Sequence, residues 1–262
     1  MKIHFFKTVK LVAILIALSF FVSSSAIRPR NLDLFLLIGQ SNMAGRGAMN
    51  QEEMVSKNIW MIDAVENLVK AKDPLHFDKP AMVGVGPGLA FAQKIIEKGA
   101  SKKVGLIPCA VGGSGIDQWQ EGVLHSQTGI YPYDAMVKRV RAAKKYGKIR
   151  GVLWHQGESD SSQDKSEVYQ KKLEMFFDKL RKDLALKDTP IIMGELGPFY
   201  VEKNSYARTI NKVIHTVAAS HPNCYVVTSE GLTDKGDSTH FDTVSAGILG
   251  QRYAKIFIST IK

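Results

Sequence analysis

The chain has 262 residues, 45% hydrophobic and 23% charged, enough to bury a full core without covalent staples. Its formal net charge is +10 at pH 7. The lysines are scattered through helix-like stretches (Lys138, Lys144, Lys145, Lys171, Lys172, Lys179) and form no basic arm. That reads as solvated helix faces, with weak attraction to an acidic polysaccharide matrix and no nucleic acid partner.

The amino end comes first. Lys2, Lys7 and Lys10 precede an apolar block at residues 11–22, and Ser24, Ser25 and Ala26 are small residues suited to cleavage. This is the layout of a secretory signal peptide over residues 1–26, and the block is short for a membrane span. The expectation is therefore one domain, residues 27–262, secreted to the extracellular space (the cell wall or apoplast in a plant) and without stable membrane association; a retained signal anchor is the alternative. Removal of the segment takes three lysines and no acids from the chain, leaving a net charge of +7.

Residues 34–37 are an apolar strand that runs into Ile38-Gly39-Gln40-Ser41-Asn42-Met43-Ala44-Gly45, where small and polar residues replace it. Ser41 falls at the tip of a tight turn, where an open α/β sheet places its chemistry. The same pattern suits an N-cap serine in an ordinary β-α turn. Residues 46–85 read as a long loop with short elements. Residues 87–99 have helical apolar spacing, a proline near the start and a glycine stop. A strand at 103–108 leads into the loop Ala110-Val111-Gly112-Gly113-Ser114-Gly115. A helix at 133–146 precedes a strand at 149–154, which ends in His155-Gln156-Gly157-Glu158-Ser159-Asp160. A long amphipathic helix at 166–186, a strand at 190–194, a helix at 206–219, a strand at 224–228 and a helix at 244–258 complete the order. Alternation of strands and helices predicts a five-stranded parallel sheet with helices on both faces. The polar and glycine-rich clusters after the first three strands then share one rim. In such a sheet Cys109 and Cys224 lie at opposite edges, so no disulfide is expected. No Cys or His pair has ligand spacing, so no metal site is expected.

A serine nucleophile needs a base, and the base needs a carboxylate to fix its tautomer. Asp237 and His240, three residues apart before the last helix, offer both, although a turn-capping aspartate beside an exposed histidine would look the same. The other histidines, His76, His125, His155, His215 and His221, lie in less suitable places. Glu158, on the same rim, is an alternative or auxiliary partner for His240. Donors for an oxyanion are available from the Ser41 amide, the backbone at Gly112 or Gly113, and the Gln156 side chain. Trp119, just past the glycine loop, could stack on a sugar or anchor the core, and Arg46 is a further candidate substrate contact.

Four blocks, Gly39-Gln40-Ser41-Asn42-Met43, Gly112-Gly113-Ser114, His155-Gln156-Gly157-Glu158 and Asp237-Ser238-Thr239-His240, occur in an order and approximate spacing that resembles the SGNH hydrolases. The likeness is greatest to the carbohydrate esterase family 6 and sialate O-acetylesterase-like group, including its plant members, and runs from about Asp33 to Tyr253. It implies a flavodoxin-like, three-layer α/β/α hydrolase that removes acetyl groups from carbohydrate, such as cell-wall xylan, without a cofactor. Carried over by motif, Ser41 is the nucleophile, His240 the base and then acid, and Asp237 the orienting carboxylate. Ser41, Gly113 and Gln156 form the oxyanion hole; Gln156 stands where the wider superfamily has asparagine. An esterase for other acyl groups, or an inactive carbohydrate-binding protein of the same fold, are the alternatives.

Overall fold

The computed structural model describes residues 29–49 and 56–261, so the expected signal segment lies outside the described residues. At the centre is β1 (Leu32–Gly39), an almost continuously buried strand. Its even-numbered side chains Leu32, Leu34, Leu36 and Ile38 enter one core and Phe35 and Leu37 the other. A strand covered on both faces has no need for polar alternation, which explains its continuous apolar run after Asp33.

Around it the chain adds α1 (Ser41–Ala44), β2 (Ile59–Ile62), β3 (Leu68–Lys70), α2 (Pro87–Glu97), β4 (Val104–Pro108), α3 (Pro132–Lys144), β5 (Gly147–His155) and α4 (Gln163–Leu184). It ends with β6 (Ile191–Gly194), α5 (Pro198–Lys203), α6 (Ser205–Ser220), β7 (Cys224–Val227) and α7 (Thr243–Thr260). The sheet order is β3-β2-β4-β1-β5-β6-β7. Helices α3, α4 and α6 cover one face and α2 and α7 the other, giving the expected three layers.

The expected five strands are the parallel set β4-β1-β5-β6-β7, but the sheet has seven. β2 adds to β4 in parallel, and β3 folds back on β2 antiparallel. Both lie in the stretch read as loop. They are four and three residues long, and β3 is half-buried to exposed, too short to show a period. Cys109, just past the end of β4, and Cys224, the first residue of β7, are buried free thiols, with β1, β5 and β6 between those two strands.

The chain leaves β1 toward β2 and β4 on one side, and β5 to β7 extend the other side. β1 is thus the point where strand order reverses, and a crevice forms beyond its carboxyl end. Parallel pairing of Leu37 with Pro108 and of Gly39 with His155 brings the ends of β4 and β5 to that same edge.

Candidate active site

The turn that bears Ser41 is built by close backbone approach. Gly39 has φ +127°, and a Cβ there would lie 2.0 Å from the His155 carbonyl oxygen, so only glycine allows β1 to pass so close to β5. The Gln40 N–H donates to the His155 carbonyl at 2.8 Å, and the Gln40 carbonyl then accepts from Met43 and Ala44, opening the single turn α1. Ser41 is the first residue of that turn and is buried apart from 6% of its surface. Its own N–H has no acceptor among the described residues, as expected of a helix start.

The turn that precedes α7 supplies the other two groups. The Asp237 carboxylate accepts from the His240 ring Nδ1 at 2.7 Å, and from the backbone N–H groups of Thr239 at 3.0 Å and His240 at 2.8 Å. With Nδ1 donating, Nε2 carries a lone pair and faces Ser41 Oγ at 3.0 Å. Burial pushes the Asp237 pKa up, but those hydrogen bonds outweigh it and hold the group down at about 2. His240 is lowered from its ordinary value, first by burial; Asp237 opposes this, while the charges of Arg46 and Lys235 add to it. The ring is therefore neutral at neutral pH and able to accept a proton.

Glu158 does not share this role. Its Oε1 accepts from Asn42 Nδ2 at 2.6 Å, and burial raises its pKa to about 7. Asn42 also donates to the Thr239 carbonyl at 3.0 Å and accepts from the Phe241 N–H at 3.1 Å. Asn42 thus grips the segment on both sides of His240, and Glu158 holds that grip in place. The sequence does not single out Asn42, because its partners lie 116 to 199 residues away.

The glycine loop lies alongside β1, with the Cys109 N–H on the Leu37 carbonyl at 2.8 Å and the Val111 N–H on the Gly39 carbonyl at 2.9 Å. Gly112 donates its N–H to Asp78 Oδ2 at 2.7 Å and is already engaged. Gly113, at φ +86°, has an N–H without an acceptor among the described residues. Of the two glycines, Gly113 is the one with a donor to offer.

Three expected roles change. Gln156 is fully buried; its Nε2 faces Asp160 Oδ2 at 2.6 Å and the Gln40 side chain and Ser114 carbonyl at 3.2 Å, and its Oε1 accepts from Tyr169. Two amide hydrogens with three protein acceptors leave none for an oxyanion, so Gln156 braces the site from behind. Trp119 is 1% exposed, donates Nε1–H to Ser114 Oγ at 3.1 Å and meets Trp154 and Phe176 edge-on. It presents no face to a sugar. Arg46 is buried in an ion pair with Asp78 at 2.9 Å and donates Nη1–H to the Gly45 carbonyl, so it does not project into the crevice. Two rim groups that the sequence did not single out are Lys79 and Gln127, hydrogen-bonded at 2.9 Å beside Gly113.

Among the described residues no cluster of His, Cys, Asp and Glu could hold a metal ion, and no helix is long and apolar enough to cross a membrane.

Residues 31–259 match the family described as "Carbohydrate esterase, sialic acid-specific acetylesterase". An Arabidopsis thaliana protein named "Probable carbohydrate esterase" is 32% identical over 249 residues, spanning 86% of this chain and 90% of that protein. The crystal structure from that plant superposes with a TM-score of 0.76 at 31% identity, covering 88% of this chain and 99% of the other. NanS superposes with a TM-score of 0.71 at 19% identity over 89% of this chain and 98% of NanS. A carbohydrate acetylesterase from Xanthomonas citri gives 0.64 at 18% identity over 85% of this chain and 55% of its own; these last two show the shared fold. With the family match spanning nearly every described element, the chain belongs to the carbohydrate esterase, sialic acid-specific acetylesterase family and is a carboxylic ester hydrolase.

Proposed function

We propose that this chain is a serine esterase that removes O-acetyl groups from carbohydrate through an acetyl-enzyme on Ser41, with acetylated xylan or a related polysaccharide as substrate. The observation that carries the reading is the unbroken hydrogen-bond path from Asp237 through His240 to Ser41, with spacings of 2.7 and 3.0 Å. His240 Nε2 takes the Ser41 proton as Oγ bonds to the acetyl carbon, and the carbonyl electrons move onto oxygen. The free N–H groups of Ser41 and Gly113 receive that oxyanion. His240 then gives the proton to the sugar oxygen as the ester C–O bond breaks. Water enters, loses a proton to His240, attacks the acetyl carbon and releases acetate and Ser41. Asp237 stays ionised throughout, because its own pKa is held near 2.

The proposal includes a single domain over residues 27–262, exported with residues 1–26 removed. The apolar block with lysines before it and small residues after it supports export.

Acetate release from acetylated xylan and from p-nitrophenyl acetate tests the reaction, comparing the parent with Ser41→Ala. Activity of the parent on both, lost in Ser41→Ala, is expected. Equal activity of the two proteins would overturn the assignment of the nucleophile. A parent inert on the polymer but fast on longer acyl esters would overturn the substrate class.

A further inference from the structure

Behind the glycine loop lies a buried charged cluster that the chemistry above leaves unused. The side chains of Arg46 and Asp78 are each 1% exposed and pair at 2.9 Å. Attraction between two such charges does not by itself offset the loss of their hydration, so their remaining hydrogen-bonding capacity has to be taken up nearby. Here two backbone segments of the site take up part of it, while Arg46 Nε and Asp78 Oδ1 have no hydrogen-bond partner among the described residues. Arg46 Nη1 donates to the Gly45 carbonyl at 2.7 Å, at the end of α1. Asp78 Oδ2 accepts the Gly112 N–H at 2.7 Å, one residue before Gly113. A Cβ on Gly112 would lie 2.2 Å from Arg46 Nη2 and 2.9 Å from Asp78 Oδ2, so this approach needs glycine.

We propose that Arg46 and Asp78 are positioning residues for the oxyanion hole: together they bridge the nucleophile turn to the glycine loop and fix the Gly113 N–H relative to the Ser41 N–H. The inference rests on the esterase reading of the site and adds the residues that hold its two donors in register.

The physical need is clear from the loop. Gly112, Gly113 and Gly115 stand within four residues, and Gly113 sits at φ +86°, so the segment has wide conformational freedom of its own. An oxyanion donor contributes only when it is already aimed before the reaction. Ser114 fixes the far side of the loop, through its N–H and its hydroxyl on the Val111 carbonyl at 3.1 and 2.8 Å. Asp78 fixes the near side with a charge-assisted bond. Arginine suits the bridge because its fork reaches a carbonyl and a carboxylate at once, which a lysine ammonium cannot reproduce in that geometry.

The test uses Asp78→Asn and Arg46→Lys in the full chain, with p-nitrophenyl acetate turnover and the affinity of methaneboronic acid as readouts. The boron of this acid accepts a lone pair from Ser41 Oγ as the Ser41 proton passes to His240, giving a tetrahedral anion with an oxygen in the oxyanion hole. One such donor contributes about 10²- to 10³-fold to kcat, so displacing it should lower kcat at least about tenfold with KM nearly unchanged. Boronate affinity should fall by the same factor as kcat/KM. Arg46→Lys keeps the positive charge that acts on His240 alongside Asp237 and Lys235, so the acid limb of its pH profile should stay in place while kcat falls. A merely structural role would not link kcat to boronate affinity. Folded variants with parental kcat and boronate affinity, or a raised KM at unchanged kcat, would overturn the proposal. If neither variant folds, the Gly112 amide of the 15N-labelled parent decides. A downfield proton protected from exchange is expected, and an ordinary shift with fast exchange overturns the proposal. Ser41→Ala separates the two layers. Turnover or boronate binding retained in that variant would defeat the esterase reading of the site itself, whereas loss of both leaves only the bridge in question.

Discussion

Replacing Asp237 by Asn probes the proposed catalytic path at its most informative point. The carboxylate has three donors to satisfy, the His240 ring and two backbone N–H groups. Asparagine offers one acceptor oxygen. If that oxygen keeps the backbone pair, the amide N–H turns toward Nδ1, the ring shifts its hydrogen to Nε2, and a donor then faces Ser41 Oγ where an acceptor is needed. In a fully buried triad, loss of the right tautomer costs about 10⁴-fold in kcat. The Asp237 side chain is 37% exposed, so water partly substitutes for it. The expected loss is therefore roughly 10²- to 10⁴-fold, or about 3–5 kcal/mol of barrier. The sign of the pH effect is also fixed. Asp237 raises the pKa of His240 against burial, so removing its charge lowers that pKa. The acid limb of kcat/KM, which follows the deprotonation of His240 in the free enzyme, moves to lower pH while the plateau drops. Initial rates on p-nitrophenyl acetate from pH 4 to 9 measure both. An Asp237→Asn enzyme with more than about a tenth of parental kcat, or with its acid limb displaced upward, would refute the reasoning.

Other substitutions probe the surrounding residues. Glu158→Gln still offers an oxygen to Asn42 and should keep kcat within about tenfold, well above Asp237→Asn; the reverse ranking by steady-state kinetics would return Glu158 to the triad. The same variant has a stability signature. The folded pKa of Glu158 is raised to about 7 from 4.5, so its stabilising contribution is complete below about pH 4.5 and is lost as pH rises through 7, a change of about 3 kcal/mol at most. Urea unfolding should show Glu158→Gln gaining on the parent between pH 5 and 8. Trp119→Phe loses the bond to Ser114 Oγ but keeps most of the ring packing, so stability should fall by about 1 kcal/mol in denaturant titrations. KM on acetylated xylan should stay within about twofold, because the ring is buried away from substrate. Gly39→Ala forces a methyl into the His155 carbonyl, and circular dichroism should report a protein that does not reach the native state.

What was legible in the sequence followed from local rules. The apolar run of β1, the glycine that has to precede Ser41, and Asp237 three residues before His240 each state their geometry within a few positions. The positions of the long helices are readable for the same reason, since a buried stripe such as Leu173, Phe176, Phe177, Leu180 and Leu184 repeats along its own element, whereas the short α5 buries no residue and gives no such stripe. What was not legible depends on partners far apart in the chain. Gln156 is chemically able to serve an oxyanion, and only Asp160, Gln40, Ser114 and Tyr169 converging on it decide otherwise. Arg46 and Trp119 stand next to site motifs, but proximity in sequence to a catalytic turn does not say whether a side chain turns outward or inward. β3 was missed because its strand character comes from pairing with β2, not from any pattern in Leu68–Lys70.

These departures share a physical cause. The proposed reacting groups need little of the chain: one hydroxyl, one ring, one carboxylate and two backbone N–H groups. Backbone donors have no side chain of their own to hold them, so their aim must be set by neighbouring residues. Hence the polar residues of the rim motifs are turned inward. Gln40 Oε1 accepts from Gln156, and from the backbone of Gly157 and Ser159 at 3.4 and 3.2 Å. Asp160 accepts from Gln156 and from the Ile116 N–H at 2.8 Å. Asn42 secures the segment bearing His240. Each of these side chains is buried, where an unpaired polar atom is costly, so their arrangement is strongly specified. A glutamine or asparagine in such a motif is therefore explained as readily by the need to aim a neighbouring backbone as by direct contact with substrate. For Gln156 the count of hydrogens against acceptors favours aiming.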